Sequence, residues 1–250
     1  MLGRFRSSGD TPHVLWLTLE GWVVGALSAL VFLAVDRLWA AAPAVLLALI
    51  TTLFLMAARP ESDLARVCDA FGGGWGRDAI LRILGDPHVG TFGAIGLVGG
   101  LALRFMLLLE LTATPVGFAL ALLAGQSLGR LSGLVMSRTL PPVTDGAAEG
   151  RAFGFAGGRV ALFCAALGGL APLALLAAYQ NQPWIFAALL PVVGVHLYLA
   201  RMFRRGIAGV TRDCLGATAQ IGELVLYLGL QPTLAMRLGE AGDWLTRLVS

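Results

Sequence analysis

The chain has 250 residues, of which 57% are hydrophobic and only 13% charged, and its formal net charge is +3. Soluble domains carry about a quarter charged residues, and a fold of this size cannot hide so much apolar surface from water. A free soluble domain is therefore excluded and a lipid bilayer is indicated as solvent for most of the chain. So small a charge gives no case for nucleic acid as a partner.

Taken in order, Arg4 and Arg6 lead into an apolar run, and Ala40-Ala41-Ala42 follows it. The run is roughly 22 residues, too long for a secretory signal core of about 7–15, and reads as a retained span. Apolar segments long enough to cross a bilayer lie near 14–35, 38–58, 93–111, 113–129, 160–179, 184–200 and 219–236. The expected fold is an all-α polytopic membrane bundle of about seven transmembrane helices, forming one domain over residues 1–250. Asp36-Arg37, the turn from Thr112 to Pro115, and Gln180-Asn181-Gln182-Pro183 separate spans one and two, three and four, and five and six. These read as tight helical hairpins.

Longer connections fall at 59–92, 130–159 and 201–218. They and the N-terminus hold nearly all the arginines outside the spans, while the opposite side has only Arg37, Arg237 and Arg247. This asymmetry predicts that the N-terminus and all three long loops are cytoplasmic. An odd number of spans then places the C-terminus outside.

Within the spans, Glu20, Arg104, Glu110 and Glu223 are ionisable. Such groups are costly in lipid and usually face the bundle interior. Arg104 falls near mid-span, where a carboxylate from another helix can pair with it; a substrate contact is the alternative. Glu110 and Glu223 fall near span ends, within reach of solvent, and His196 reads as a packed histidine. Gly21 and Gly25, and Gly125, Gly129 and Gly133, repeat at four-residue spacing, as close helix packing requires. Cys68, Cys164 and Cys214 are odd in number and share no metal spacing, so they read as small apolar fillers.

The stretch from Arg59 to Gly93 is the most suggestive. Glu61 to Phe71 reads as a helix continuing out of the second span, with Ser62, Arg66 and Asp69 on one face. Asp63 lies about 240° of helical rotation before Asp69 and points away from that face. Gly72-Gly73-Gly74 ends the helix, Asp78 to Leu84 forms a short amphipathic one, and Asp86-Pro87 turns the chain towards Gly90 and Gly93. Glycines beside a helix start let backbone N–H groups approach a phosphate. The third loop repeats this chemistry with Arg204, Arg205, Gly209, Thr211, Arg212 and Asp213. The middle loop carries Asp145, Glu149 and Arg151 among turn residues.

Three ordered runs are similar to motifs of the cobalamin synthase family, also called adenosylcobinamide-GDP ribazoletransferase. The run from Pro60 to Ala70 resembles H-x-D-G-x-A-D-x-x-D-G. Gly85-Asp86-Pro87-His88-Val89-Gly90-Thr91-Phe92-Gly93 resembles K-D-S-R-x-G-T-[FY]-G. Ala208 to Ala217 resembles G-G-x-T-G-D-x-L-G-A. The resemblance covers nearly the whole chain, in span spacing as well as loop order.

It implies an inner-membrane transferase of cobalamin biosynthesis that joins adenosylcobinamide-GDP to alpha-ribazole or its 5'-phosphate, releases GMP and uses Mg²⁺. It further implies Asp69, Asp86 and Asp213 as catalytic and metal-binding carboxylates. Gly72, Gly73, His88, Gly90, Thr91, Gly93, Gly209, Thr211 and Arg212 would bind the phosphates. A homo-oligomer is compatible with it.

The sequence also departs from the motifs. Ser62 and Arg66 stand where the first two aspartates would be, Pro60 replaces the histidine, Gly85 and His88 replace the lysine and arginine, and Arg212 replaces a glycine. Arg66 places a fixed cation three residues from Asp69, where a salt bridge would compete with a metal. The alternative is therefore a catalytically degenerate homologue that acts as a corrinoid- or nucleotide-binding or assembly subunit.

Overall fold

The computed structural model describes residues 11–143 and 159–235. Asp145, Glu149 and Arg151 lie outside the described residues. Among the described residues nine α-helices follow one another: α1 Thr11–Val35, α2 Ala41–Met56, α3 Arg59–Gly73, α4 Arg77–Gly85, α5 Thr91–Glu110, α6 Pro115–Thr139, α7 Arg159–Gln180, α8 Leu189–Ile207 and α9 Arg212–Ala235. Among the described residues the only sheet-like pairing is a single bridge between Pro142 and Val210.

The expected hairpins are present, and their turn residues explain them. Thr114 is extended and Pro115 opens α6, where a missing N–H costs nothing. Asn181 adopts the left-handed conformation after α7, and Pro183 opens a 3₁₀ turn that leads into α8. Asp36 and Arg37 lie in the turn between α1 and α2.

Among the described residues five helical segments are long and apolar enough to cross a membrane, those in α1, α5 with its following turn, α6, α7, and α8 with its preceding turn, and the bent pair of α2 and α3 would make a sixth. This supports a membrane bundle with fewer clear spans than the seven expected. The expected second span does not continue straight into the next helix. Ala57 and Ala58 are both left-handed, and α3 departs from α2 at 85°. Pro60 marks the place, because proline at a first turn starts a helix and discourages one before it. The seventh expected span corresponds to α9, which begins at Arg212 and carries Asp213, Gln220 and Glu223. Its polarity keeps it out of the set of apolar spans.

Polarity runs inside out. Val23, Phe54, Val98, Phe163, Leu190 and Leu197 are exposed, whereas Glu61, Arg104, Gln126, Gln220 and Glu223 are buried. That is the arrangement a lipid-facing bundle requires. The glycine stripes do what their spacing predicts. A Cβ on Gly21 would meet the backbone of Gln126 and Ser127, and one on Gly129 or Gly133 would meet the backbone of α9. Close packing thus seats α6 between α1 and α9.

A second hydrophobic cluster positions the loops. Leu64, Val67 and Ala70 of α3 pack with Ile80 and Leu84 of α4, Phe203 and Ile207 of α8, and Cys214 and Ala217 of α9. On the apolar side of α4, Ile80 and Leu84 are buried and Ile83 is partly buried against the same cluster. Arg77 Nε donates to the carbonyl of Ile207 at the end of α8, tying α4 down. The three cysteines are free.

Candidate functional site

The contacts of α3 fix its orientation. Asp69 lies against Gly93, Cys68 against Gly96, and Leu64 against Gly100, so α3 runs antiparallel to α5. Asp63 lies against Gly216 and Arg66 reaches Asp213, so it also runs antiparallel to α9. Each face of α3 therefore meets a different partner.

Asp69 serves the α5 side. Its carboxylate accepts the N–H groups of Gly90 and Gly93, each at 2.7 Å. Those are donors that the start of a helix leaves without a partner, and a carboxylate there also complements the helix dipole. A Cβ at Gly90 would come within 2.6 Å of the carboxylate, which is why glycine stands there. The N-terminus of α5, expected to approach a phosphate, is thus occupied by Asp69.

Asp86, His88 and Thr91 are exposed. Asp86 Oδ1 accepts the His88 N–H at 2.9 Å and lies 2.7 Å from His88 Nδ1. Those two contacts, the backbone one first, hold the Asp86 carboxyl below its ordinary value. Gly72 and Gly73 end α3, with Gly72 against the ring of Phe92. Gly209 lies against the carbonyl of Pro141, beside the Pro142–Val210 bridge. Thr211 caps α9, accepting the Cys214 N–H at 3.4 Å. The expected trio of Asp69, Asp86 and Asp213 does not converge: among the described residues no group of three or more His, Cys, Asp or Glu side chains forms a metal centre.

The structure instead gathers Asp63, Arg66, Arg212 and Asp213. Asp213 sits in the first turn of α9, where the dipole favours a negative charge. Arg66 Nη1 lies 3.3 Å from its Oδ1. Arg66 therefore pairs with Asp213 and not with Asp69, as its spacing on α3 suggests. Asp63, expected to point away from the Asp69 face, lies against Gly216 of α9, near enough to Asp213 for the two charges to repel. Burial, then the charge of Asp213, push the Asp63 carboxyl up to about 8, against the opposing pull of Arg212 and Arg66. Gly216 leaves room for Asp63, since a Cβ there would overlap its carboxylate. Asp63 stands where the resembled motif has glycine, one position after Ser62.

Two carboxylates facing each other across two helices are a donor set that Mg²⁺ accepts, with its other positions filled by phosphate oxygens and water. The flanking arginines match phosphate oxygens in geometry and charge. The cluster can therefore hold a polyphosphate group and shield its charge.

A second polar cluster lies deeper. Arg104 Nη2 is 2.6 Å from Glu223 Oε1 and its Nη1 is 3.4 Å from Glu61 Oε1. Gln126 and Tyr227 each donate to the same Glu223 oxygen at 2.8 Å. Glu223 is thus buried, contrary to the expectation that solvent reaches it. Glu110 is exposed at the end of α5, and Glu20 is exposed on α1. Thr52, Glu61, Arg104, Gln126, Arg130 and Gln220 border a small cavity beside this cluster.

An all-helical bundle whose long apolar helices suggest an integral membrane protein, with an acid and arginine cluster where two helices meet, defines the class. The sequence pattern of cobalamin-5-phosphate synthase matches residues 4–231. The chain belongs to the cobalamin-5-phosphate synthase family. It is 34% identical to an adenosylcobinamide-GDP ribazoletransferase of Leptothrix cholodnii, over 84% of this chain and 81% of that protein. It is likewise 34% identical to the proteins of that name from Ralstonia pickettii, over 90% and 87% of the two chains, and Shewanella sp. strain W3-18-1, over 85% and 80%. No solved structure matches the chain.

Proposed function

We propose that the protein is an adenosylcobinamide-GDP ribazoletransferase acting in assembly of the cobalamin nucleotide loop, with Asp63, Arg66, Arg212 and Asp213 as its phosphate-handling site. Relatives bearing that name match most of the chain. The observation that carries the site is the meeting of Asp63 with Asp213 beside two arginines. It also removes the main motive for a non-catalytic reading, because the carboxylates missing at positions 62 and 66 are offset by one at 63.

In the reaction, an oxygen of alpha-ribazole or its 5'-phosphate attacks the corrinoid-side phosphorus of the pyrophosphate. The bond from that phosphorus to the bridging oxygen breaks, GMP leaves with the electron pair, and any proton on the attacking oxygen is released. Arg66 and Arg212 bind the non-bridging phosphate oxygens and orient the pyrophosphate. Asp63 and Asp213 would hold Mg²⁺, which when bound offsets the pyrophosphate charge. Asp69 keeps α5 and α3 in register and takes no part in the chemistry. The arginine distribution supports an inner-membrane protein with this site on the cytoplasmic side.

The test is GMP release from purified protein in liposomes supplied with adenosylcobinamide-GDP, alpha-ribazole and Mg²⁺. Release that stops when EDTA removes the metal is the expected result. Absence of GMP at every Mg²⁺ concentration refutes the reading.

A further inference from the structure

The two helices that form the site are joined from within the bundle by one side chain. Arg104 projects from α5 and is 1% exposed, and its guanidinium reaches Glu61 at the start of α3 and Glu223 in the middle of α9. Glu61 lies two residues before Asp63. Glu223 lies ten residues after Asp213, about 15 Å along the helix axis.

Burying three charged groups is a poor route to stability, because desolvation offsets most of the attraction. What a buried guanidinium provides is fixed geometry: its planar fork holds each acceptor in a defined direction. The remaining contacts reinforce that role. Gln126 from α6 and Tyr227 from α9 both donate to the Glu223 oxygen that Arg104 holds, so it cannot swing away without abandoning three donors. The α3 helix is held to α5 near both of its ends, by Glu61 with Arg104 and by Asp69 with Gly90 and Gly93. Arg104 extends that fixation to α9.

We propose that Arg104 is a positioning residue: by bracketing Glu61 and Glu223 it sets the register of α3 against α9, and with it the gap between Asp63 and Asp213. Its bearing on turnover rests on the reading of that gap as the reacting site. Its bearing on structure does not.

The experiment measures the register directly. Ser62 on α3 and Ala208, just before α9, are both exposed. Each is changed to Cys and spin-labelled, in a background where the free Cys68, Cys164 and Cys214 are replaced by Ala. The distance distribution is recorded in liposomes. A narrow distribution is expected with Arg104 present, and one at least twice as wide, or displaced, in Arg104→Lys, which keeps the charge but loses the fork. The neutralised variant Arg104→Met with Glu61→Gln and Glu223→Gln leaves no unpaired buried charge, so it retains the fold, and the same broadening is expected there. An unchanged distribution in either variant overturns the proposal.

GMP release from unlabelled protein with Arg104→Lys should fall at least about tenfold in kcat at equal folded fraction. A wild type that releases no GMP refutes the transferase reading alone, and the distances still decide the bracket.

Discussion

Asp63 meets Asp213 across the boundary between α3 and α9, while Asp69, six residues further along α3 and on another face, is committed to the backbone of α5. One short helix therefore presents two aspartates for two different tasks. The distinction between them leads to the first two expectations.

Replacing Asp63 or Asp213 with Ala should lower the kcat of GMP release by about 10²-fold or more, the usual scale for removing a charged group from a reacting centre. Thermal stability should not fall with activity, since removing either carboxylate relieves the repulsion between the two. Steady-state kinetics and a melting curve on the same preparation check both halves.

Asp69→Ala should act on stability first. It strands the N–H groups of Gly90 and Gly93, which costs about 1–3 kcal/mol and lowers the melting temperature by several degrees. Activity per folded molecule should survive. A loss of kcat equal to that of Asp63→Ala, with an unchanged melting point, would return Asp69 to the reacting site.

Gly216→Ala should lower kcat about tenfold by pushing the Asp63 carboxylate out of place. Gly99→Ala is the control, because a Cβ there meets nothing within 4 Å. Equal activity in the two variants would show that Gly216 does not shape the site.

Stability should depend on pH through Asp63. Burial and the neighbouring Asp213 raise the Asp63 carboxyl to about 8 in the folded protein, whereas an unfolded chain releases the proton near its ordinary value of 3.8. The contribution is complete below the unfolded value and is lost as pH rises through the folded one. Without divalent cations, the melting temperature should fall between about pH 5 and pH 9, and Asp63→Asn should flatten the fall. A wild-type profile that rises over this range would contradict the assignment.

Much of the architecture was readable because turns and spans leave local marks. Pro115, Asn181 and Pro183 announce the hairpins, and the glycine stripes announce close packing. The bend at Ala57 and Ala58 was harder, since alanine favours helix and only Pro60 hints at a restart. The site was half legible. Helical rotation correctly separates Asp63 from Asp69, but it cannot say which face meets α9. The depth of Glu223 is hidden from the sequence for a related reason. Apolar content places the last span near 219, whereas the helix begins at Arg212, which moves Glu223 from the end of the segment to its middle.

The polarity of α9 also bears on how the protein is made. A segment bearing Asp213, Gln220 and Glu223 gains little by entering lipid alone, because each acidic group at depth costs roughly 2.5–3.5 kcal/mol on insertion scales. Arg104, Gln126 and the glycine face of α6 are already synthesised when α9 emerges, and they offer its carboxylate partners and its backbone a close seat. Biogenesis thus has a built-in order, in which earlier helices form the receptacle and α9 is admitted only to a finished one.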